Sequence, residues 1–188
     1  MKKLLLSTVL AACTVIAAQL AHAQSVYERY PFSTLAGNPP GSANGSGAAA
    51  KFNLPGSAAV DVNGNIYVAD TANNIIRKVT PAGEVSTLAG LAGASGSADG
   101  VGAAARFNNP VGIAVDGAGN VYVGDMLNDA VRKIAPNGTV TTLAGLAGSG
   151  GSANGNGSAA RFFSPRGVAV DAGGNVYVAD SDNGTIRK

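Results

Sequence analysis

Histidine and cysteine occur once each in this 188-residue chain, and tryptophan is absent. The two single residues, Cys13 and His22, lie in an N-terminal stretch that reads as a signal peptide over residues 1–23. Met1-Lys2-Lys3 supplies a positive start, Leu4 to Leu20 an apolar run, and Ala21-His22-Ala23 a small-x-small cleavage site. Cleavage at Ala23 leaves a chain with no Cys and no His, which excludes disulfides, thiol nucleophiles, Ser-His-Asp triads and His or Cys metal sites from the remainder. Charge is also scarce: only 13% of residues are charged, and the 13 basic residues less Lys2 and Lys3 equal the 11 acidic ones. A nucleic-acid partner calls for a clustered basic excess, so none is expected. The apolar run is too short for a membrane span and no stop-transfer pattern follows it. The expected location is therefore exported, periplasmic or extracellular. Leu10-Ala11-Ala12-Cys13 also fits a lipobox, which gives lipoprotein anchoring at Cys13 as the alternative.

What the chain does contain is one sentence written three times. Phe52 to Lys78, Phe107 to Lys133 and Phe162 to Lys188 match position by position, and Asp70, Asp125 and Asp180 mark a constant interval of 55 residues. A fixed period of this length signals stacked units, none of which buries its apolar faces alone. Within the second unit the strand candidates are Gly112 to Val115, Val121 to Gly124, Ala130 to Ile134 and Thr139 to Ala144. Turn residues such as Asn63-Gly64, Pro81-Ala82-Gly83 and Pro136-Asn137-Gly138 separate them. The second strands, such as Val121-Tyr122-Val123, are apolar on both faces, so each sheet must lie between two others. Four-stranded antiparallel sheets stacked face to face about an axis make an all-β fold, the β-propeller.

The segments PVGIAVDGAGNVYVGDMLNDAVRK and PRGVAVDAGGNVYVADSDNGTIRK resemble NHL repeats. The resemblance covers residues 24–188 and implies a ring of six blades in many members, with a binding role in most and enzymatic activity in a minority. The Gly/Ser/Ala connectors lengthen the repeat beyond the usual forty-odd residues, as in exported bacterial NHL arrays. The chain holds three blades' worth of strands, beginning with a fourth strand at Pro31 to Ala36 and ending after a third strand at Lys188. This is half of a six-bladed ring, and it calls either for further blades or for a homodimer that closes the ring.

Several residue sets are candidates for chemistry. Asp61, Asp116 and Asp171 follow the first strands, and Asp70, Asp125 and Asp180 close the second. Recurrence in every blade favours a structural role, as acceptors of backbone N–H groups in turns or as partners of Arg77, Arg132 and Arg187. No catalytic residue, metal site or cofactor is expected from them. Lys51, Arg106 and Arg161 recur beside the connectors, and with Asp99 they are the candidate binding residues of the loop rim. The expected function is a non-enzymatic scaffold for a protein or glycan partner. The alternatives are a fragment of a propeller lyase or hydrolase with its catalytic residues elsewhere, and a purely structural array.

Overall fold

The computed structural model describes residues 31–188. The expected signal peptide and the Cys13 lipobox lie outside the described residues. The first sheet comprises β1 (Gly45–Ser46), β2 (Pro55–Val60), β3 (Ile66–Asp70), β4 (Ile75–Val79) and β5 (Glu84–Ala89), in the order β1-β5-β4-β3-β2. The second repeats this pattern with β6 (Gly100–Val101), β7 (Pro110–Val115), β8 (Val121–Asp125), β9 (Ala130–Ile134) and β10 (Thr139–Gly145), in the order β6-β10-β9-β8-β7. The third contains β11 (Pro165–Val170), β12 (Val176–Asp180) and β13 (Thr185–Arg187), paired in sequence. Every pairing is antiparallel.

Local chemistry accounts for these hairpins. The turn after β2 places Gly64 at φ +79°, and the turn after β4 places Gly83 at φ +82°, both in the left-handed region open to glycine. Between the second and third strands each repeat makes one 3₁₀ turn, ending in a left-handed residue: Asn74, Asp129 and Gly184. Asn and Asp are the side chains that tolerate this conformation best.

The sheets stack as propeller blades. Tyr67, Ala69, Ile76 and Ala89 of the first meet Phe107, Ile113, Val121, Val123, Ile134 and Val140 of the second in one buried cluster. Val131 of the second meets Ala160, Phe162 and Val178 of the third in another. The innermost strands come closest, since a Cβ on Gly112 of β7 would lie 1.9 Å from the Arg166 carbonyl oxygen. No residue other than glycine fits that seam without parting the blades.

Two features depart from the sequence reading. The two complete sheets have five strands, because the connectors supply β1 and β6, which pair with the outer strands β5 and β10. Neither Gly45–Ser46 nor Gly100–Val101 shows the alternation that marks a strand. The second departure is that Pro31 to Ala36 forms no strand. A strand needs a hydrogen-bonded neighbour, and no third strand lies beside this segment among the described residues. Leu35 and Ala36 nevertheless border the outer face of the first sheet with Phe52, Ile66, Val68 and Val79, as Leu88 and Ala89 do for the second.

Candidate functional site

β3, β8 and β12 each end in an aspartate, and each aspartate is fully buried. Its Oδ1 accepts a main-chain N–H from the segment entering the blade: Asn53 at 2.7 Å, Asn108 at 2.8 Å and Phe163 at 2.7 Å. Its Oδ2 accepts the side-chain amide of the 3₁₀ turn, from Asn73, Asn128 or Asn183. The same Oδ2 receives an arginine of the third strand: Arg77 at 3.0 Å, Arg132 at 2.8 Å and Arg187 at 2.9 Å. Burial pushes the Asp125 carboxyl up to about 6, against the pull of these donors.

The arginine carries the network outward to the connector. Nη1 donates to the carbonyls of Lys51, Arg106 and Arg161, and Nη2 to those of Ala43, Ala98 and Ala153. Nη2 also donates to a side-chain oxygen of Asn44, Asp99 or Asn154 at 2.7–2.8 Å. The guanidinium lies over a phenylalanine ring, 5.0 Å from Phe52, 5.2 Å from Phe107 and 5.3 Å from Phe162. One side chain thus ties the strand, the turn and a glycine-rich loop together, and does so in every repeat.

Asp61, Asp116 and Asp171 occupy the opposite rim, in the turns after the first strands. Each accepts the amide of Asn65, Asn120 or Asn175 at 2.8 Å and a tyrosine hydroxyl from Tyr67, Tyr122 or Tyr177. The Asn65 and Asn175 amides hold the Asp61 and Asp171 carboxyls below the ordinary value of 3.8. For Asp116 burial acts upward, but donors from Asn120, Tyr122 and Ala118 outweigh it and the net direction is again down. Burial, followed by the neighbouring carboxylate, raises the Tyr67 and Tyr122 hydroxyls.

The candidate binding residues are turned toward their own chain. Arg106 donates to the carbonyls of Ala103 and Ala105, and Arg161 to those of Ser158 and Ala160. Lys51 lies against Gly41. Asp99 accepts from Arg132 at 2.7 Å and from both the N–H and the hydroxyl of Thr142. What the sequence reading missed is apolar. The antiparallel order brings the start of each first strand, the turn between second and third strands, and the end of the fourth to a single rim. There Leu54, Leu91, Leu127, Leu146 and Phe163 are exposed. Leu54 also holds φ at +48°, a strained conformation for a bulky residue. Their only signal in the sequence was isolated large apolar residues within otherwise small, polar loops.

The repeated sequence matches a known family. The NHL repeat model fits residues 52–78 and 162–188, the first and third copies of the repeated sentence. This is an NHL-repeat chain. It is 33% identical over 132 residues, 64% of its length, to the Arabidopsis thaliana chloroplastic protein SUPPRESSOR OF QUENCHING 1, of which it spans 12%. Among solved structures it resembles an auxiliary nutrient binding protein from Bacteroides ovatus at 26% identity and a TM-score of 0.57, covering 65% of this chain and 33% of that one. It also resembles a candidate phosphatase from Bacteroides thetaiotaomicron at 26% identity and a TM-score of 0.61, covering 69% and 33%. The solved structures it resembles thus include a binding protein and a candidate enzyme alike, and this chain spans a small part of its curated relative. No helix among the described residues is long and apolar enough to cross a membrane.

The rim carboxylates set an acid limit on stability. Because Asp61, Asp116 and Asp171 have folded values below 3.8, the unfolded chain binds more protons as the pH falls. Their contribution is present above pH 3.8 and is lost as the pH falls through the depressed folded values. Urea melts from pH 7 down to pH 2 should show this loss, and replacing all three by Asn should flatten it. An unchanged acid limb in the triple variant would contradict the assignment.

Proposed function

We propose that this chain is an exported NHL propeller segment that acts as a non-enzymatic scaffold, binding a protein or glycan partner through its loop rim. The observation that carries the reading is the exposed apolar set Leu54, Leu91, Leu127, Leu146 and Phe163 on a rim anchored by the repeated Asp–Arg networks. Large apolar side chains presented together on a rigid scaffold are what a recognition surface requires, whereas scattered single ones carry no meaning. Similarity to a nutrient binding protein supports a binding role. The signal-peptide pattern of residues 1–23 supports export. The similarity to a candidate phosphatase favours the second reading, a fragment of an enzyme whose catalytic groups lie in other blades.

The two readings separate on variants of one rim. Leu127→Asp with Phe163→Asp should abolish retention on envelope protein and on immobilised cell-wall glycan, while Val62→Asp on the opposite rim should leave retention unchanged. Hydrolysis of an aryl phosphate by the purified chain, with retention indifferent to the rim variants, would favour the enzyme.

We also propose a second copy of the chain as a partner. Ser33-Thr34-Leu35-Ala36-Gly37 repeats the ends of β5 and β10, and Phe32 takes the place of Val85 and Val140. Val85 and Val140 are 3% and 1% exposed, whereas Phe32 is 97% exposed. Beside β13 a groove of about 720 Å³, lined by Val131, Leu143, Ala144, Phe162, Val176 and Val178, is open among the described residues where β10 fills its counterpart in the second blade. Two copies exchanging these strands complete six blades about a two-fold axis. Sedimentation at micromolar concentration should give a dimer that Phe32→Asp dissociates. A wild-type monomer that binds no hydrophobic dye would overturn the pairing.

A further inference from the structure

The three arginine networks differ at one place. In the first and third repeats Nη2 reaches the side-chain carbonyl of Asn44 (2.8 Å) and Asn154 (2.7 Å), and in the second it reaches the carboxylate of Asp99 (2.7 Å). All three positions are followed by glycine: Gly45, Gly100 and Gly155. We propose that Asn44 and Asn154 are sites of spontaneous deamidation, primed by the arginines Arg77 and Arg187 that donate to them, and that the aspartate product reproduces the ion pair that Asp99 already makes.

The chemistry is that of an acyl transfer within the chain. The main-chain nitrogen of Gly45 loses its proton and attacks Asn44 Cγ; the Cγ–Nδ2 bond breaks and ammonia leaves with the proton, giving a cyclic imide. Water then adds to the imide. Opening at Cγ restores the peptide bond and yields aspartate, and opening at the main-chain carbonyl yields isoaspartate. No oxidant or cofactor enters, and the net change is amide plus water to carboxylic acid plus ammonia.

Two features favour the attack at these positions. Glycine has no Cβ to shield its nitrogen or to restrict the backbone as the ring closes. Charge accumulates on Asn Oδ1 in the tetrahedral intermediate, and donors already aimed at that oxygen stabilise it. Arg77 supplies such a donor to Asn44, helped by the Thr87 hydroxyl at 3.2 Å, and Arg187 supplies one to Asn154. Other Asn-Gly pairs lack this arrangement. Asn183 donates its amide nitrogen to Gly151 and Asp180, which holds the leaving group in place. Asn63, Asn137 and Asn156 are exposed Asn-Gly pairs, and none accepts a side-chain donor on its own carbonyl among the described contacts; Asn137 Oδ1 accepts the main-chain N–H of Thr139 at 3.0 Å.

The product fits the site. Asp99 shows that a carboxylate is accommodated against a fully buried arginine while remaining half exposed, and donors from Thr142 and Arg132 hold it below the usual range against the upward effect of burial. Each conversion adds one negative charge to the outer edge of a connector and replaces a neutral contact by an ion pair. The chain thereby acquires charge with age at two defined places.

The test is peptide mass mapping of the purified chain during incubation at mildly alkaline pH. Asn44 and Asn154 should gain the amide-to-acid mass severalfold faster than Asn63, Asn137, Asn156 and Asn183. Thr87→Val, at an exposed position, should slow Asn44 and leave Asn154 unaffected. Asn44→Asp should fold and melt no lower than the wild type, as the second repeat implies. Conversion of Asn44 and Asn154 no faster than of Asn63 and Asn156, or indifference of Asn44 to Thr87→Val, would overturn the proposal.

Discussion

A carboxylate and a guanidinium, both withdrawn from water, hold each blade to the loop that enters it. Desolvating two charges costs several kcal/mol per ion, and Coulomb attraction offsets this only when the remaining donors and acceptors are also satisfied. Here they nearly are. Asp125 accepts from Asn108, Asn128 and Arg132, and Arg132 in turn donates to Asp125, Arg106, Ala98 and Asp99. Among the described residues only the arginine Nε lacks an acceptor, in both Arg77 and Arg132. The network is therefore directional in a way that apolar packing is not. It specifies which loop docks on which strand.

This matters because the connectors have little else to hold them. Residues such as Gly93 to Gly100 offer almost no apolar surface, so hydrophobic burial cannot fix their path. The Arg132 bonds to Ala98 and Asp99, and the Asn128 bond to Gly96, replace it. Between blades the order is reversed. There Phe107, Val121, Val123 and Ile134 supply the area, while polar links such as the Asn109 N–H to Asn74 Oδ1 set the register. A rigid connector rim is the result, and the exposed leucines and Phe163 stand on it.

Most of the architecture was legible in the sequence, because a period of 55 residues and strands apolar on both faces leave few folds open. Turn chemistry placed the four main strands of the second unit within a residue or two. What was not legible lay where periodicity gives no signal. Gly45–Ser46 and Gly100–Val101 become strands only because arginines pin their connectors against the outer strands. Pro31 to Ala36 matches β5 in text yet pairs with nothing among the described residues, since strand formation depends on a neighbour as much as on propensity. At the candidate site, recurrence marked the aspartates and arginines but left open which paired with which. The exposed leucines were invisible, because exposure is a property of the fold and not of the residue.

The most direct measurement is a double-mutant cycle on Asp125 and Arg132, read by urea unfolding of the full chain. Each single replacement by Ala leaves the other charge buried without its partner and should cost about 3–5 kcal/mol. The double variant should cost less than the sum, with a coupling of about 0.5–3 kcal/mol as expected for groups in one network. Single losses that add to within about 0.5 kcal/mol would contradict the account, since they would mean that the two residues act independently.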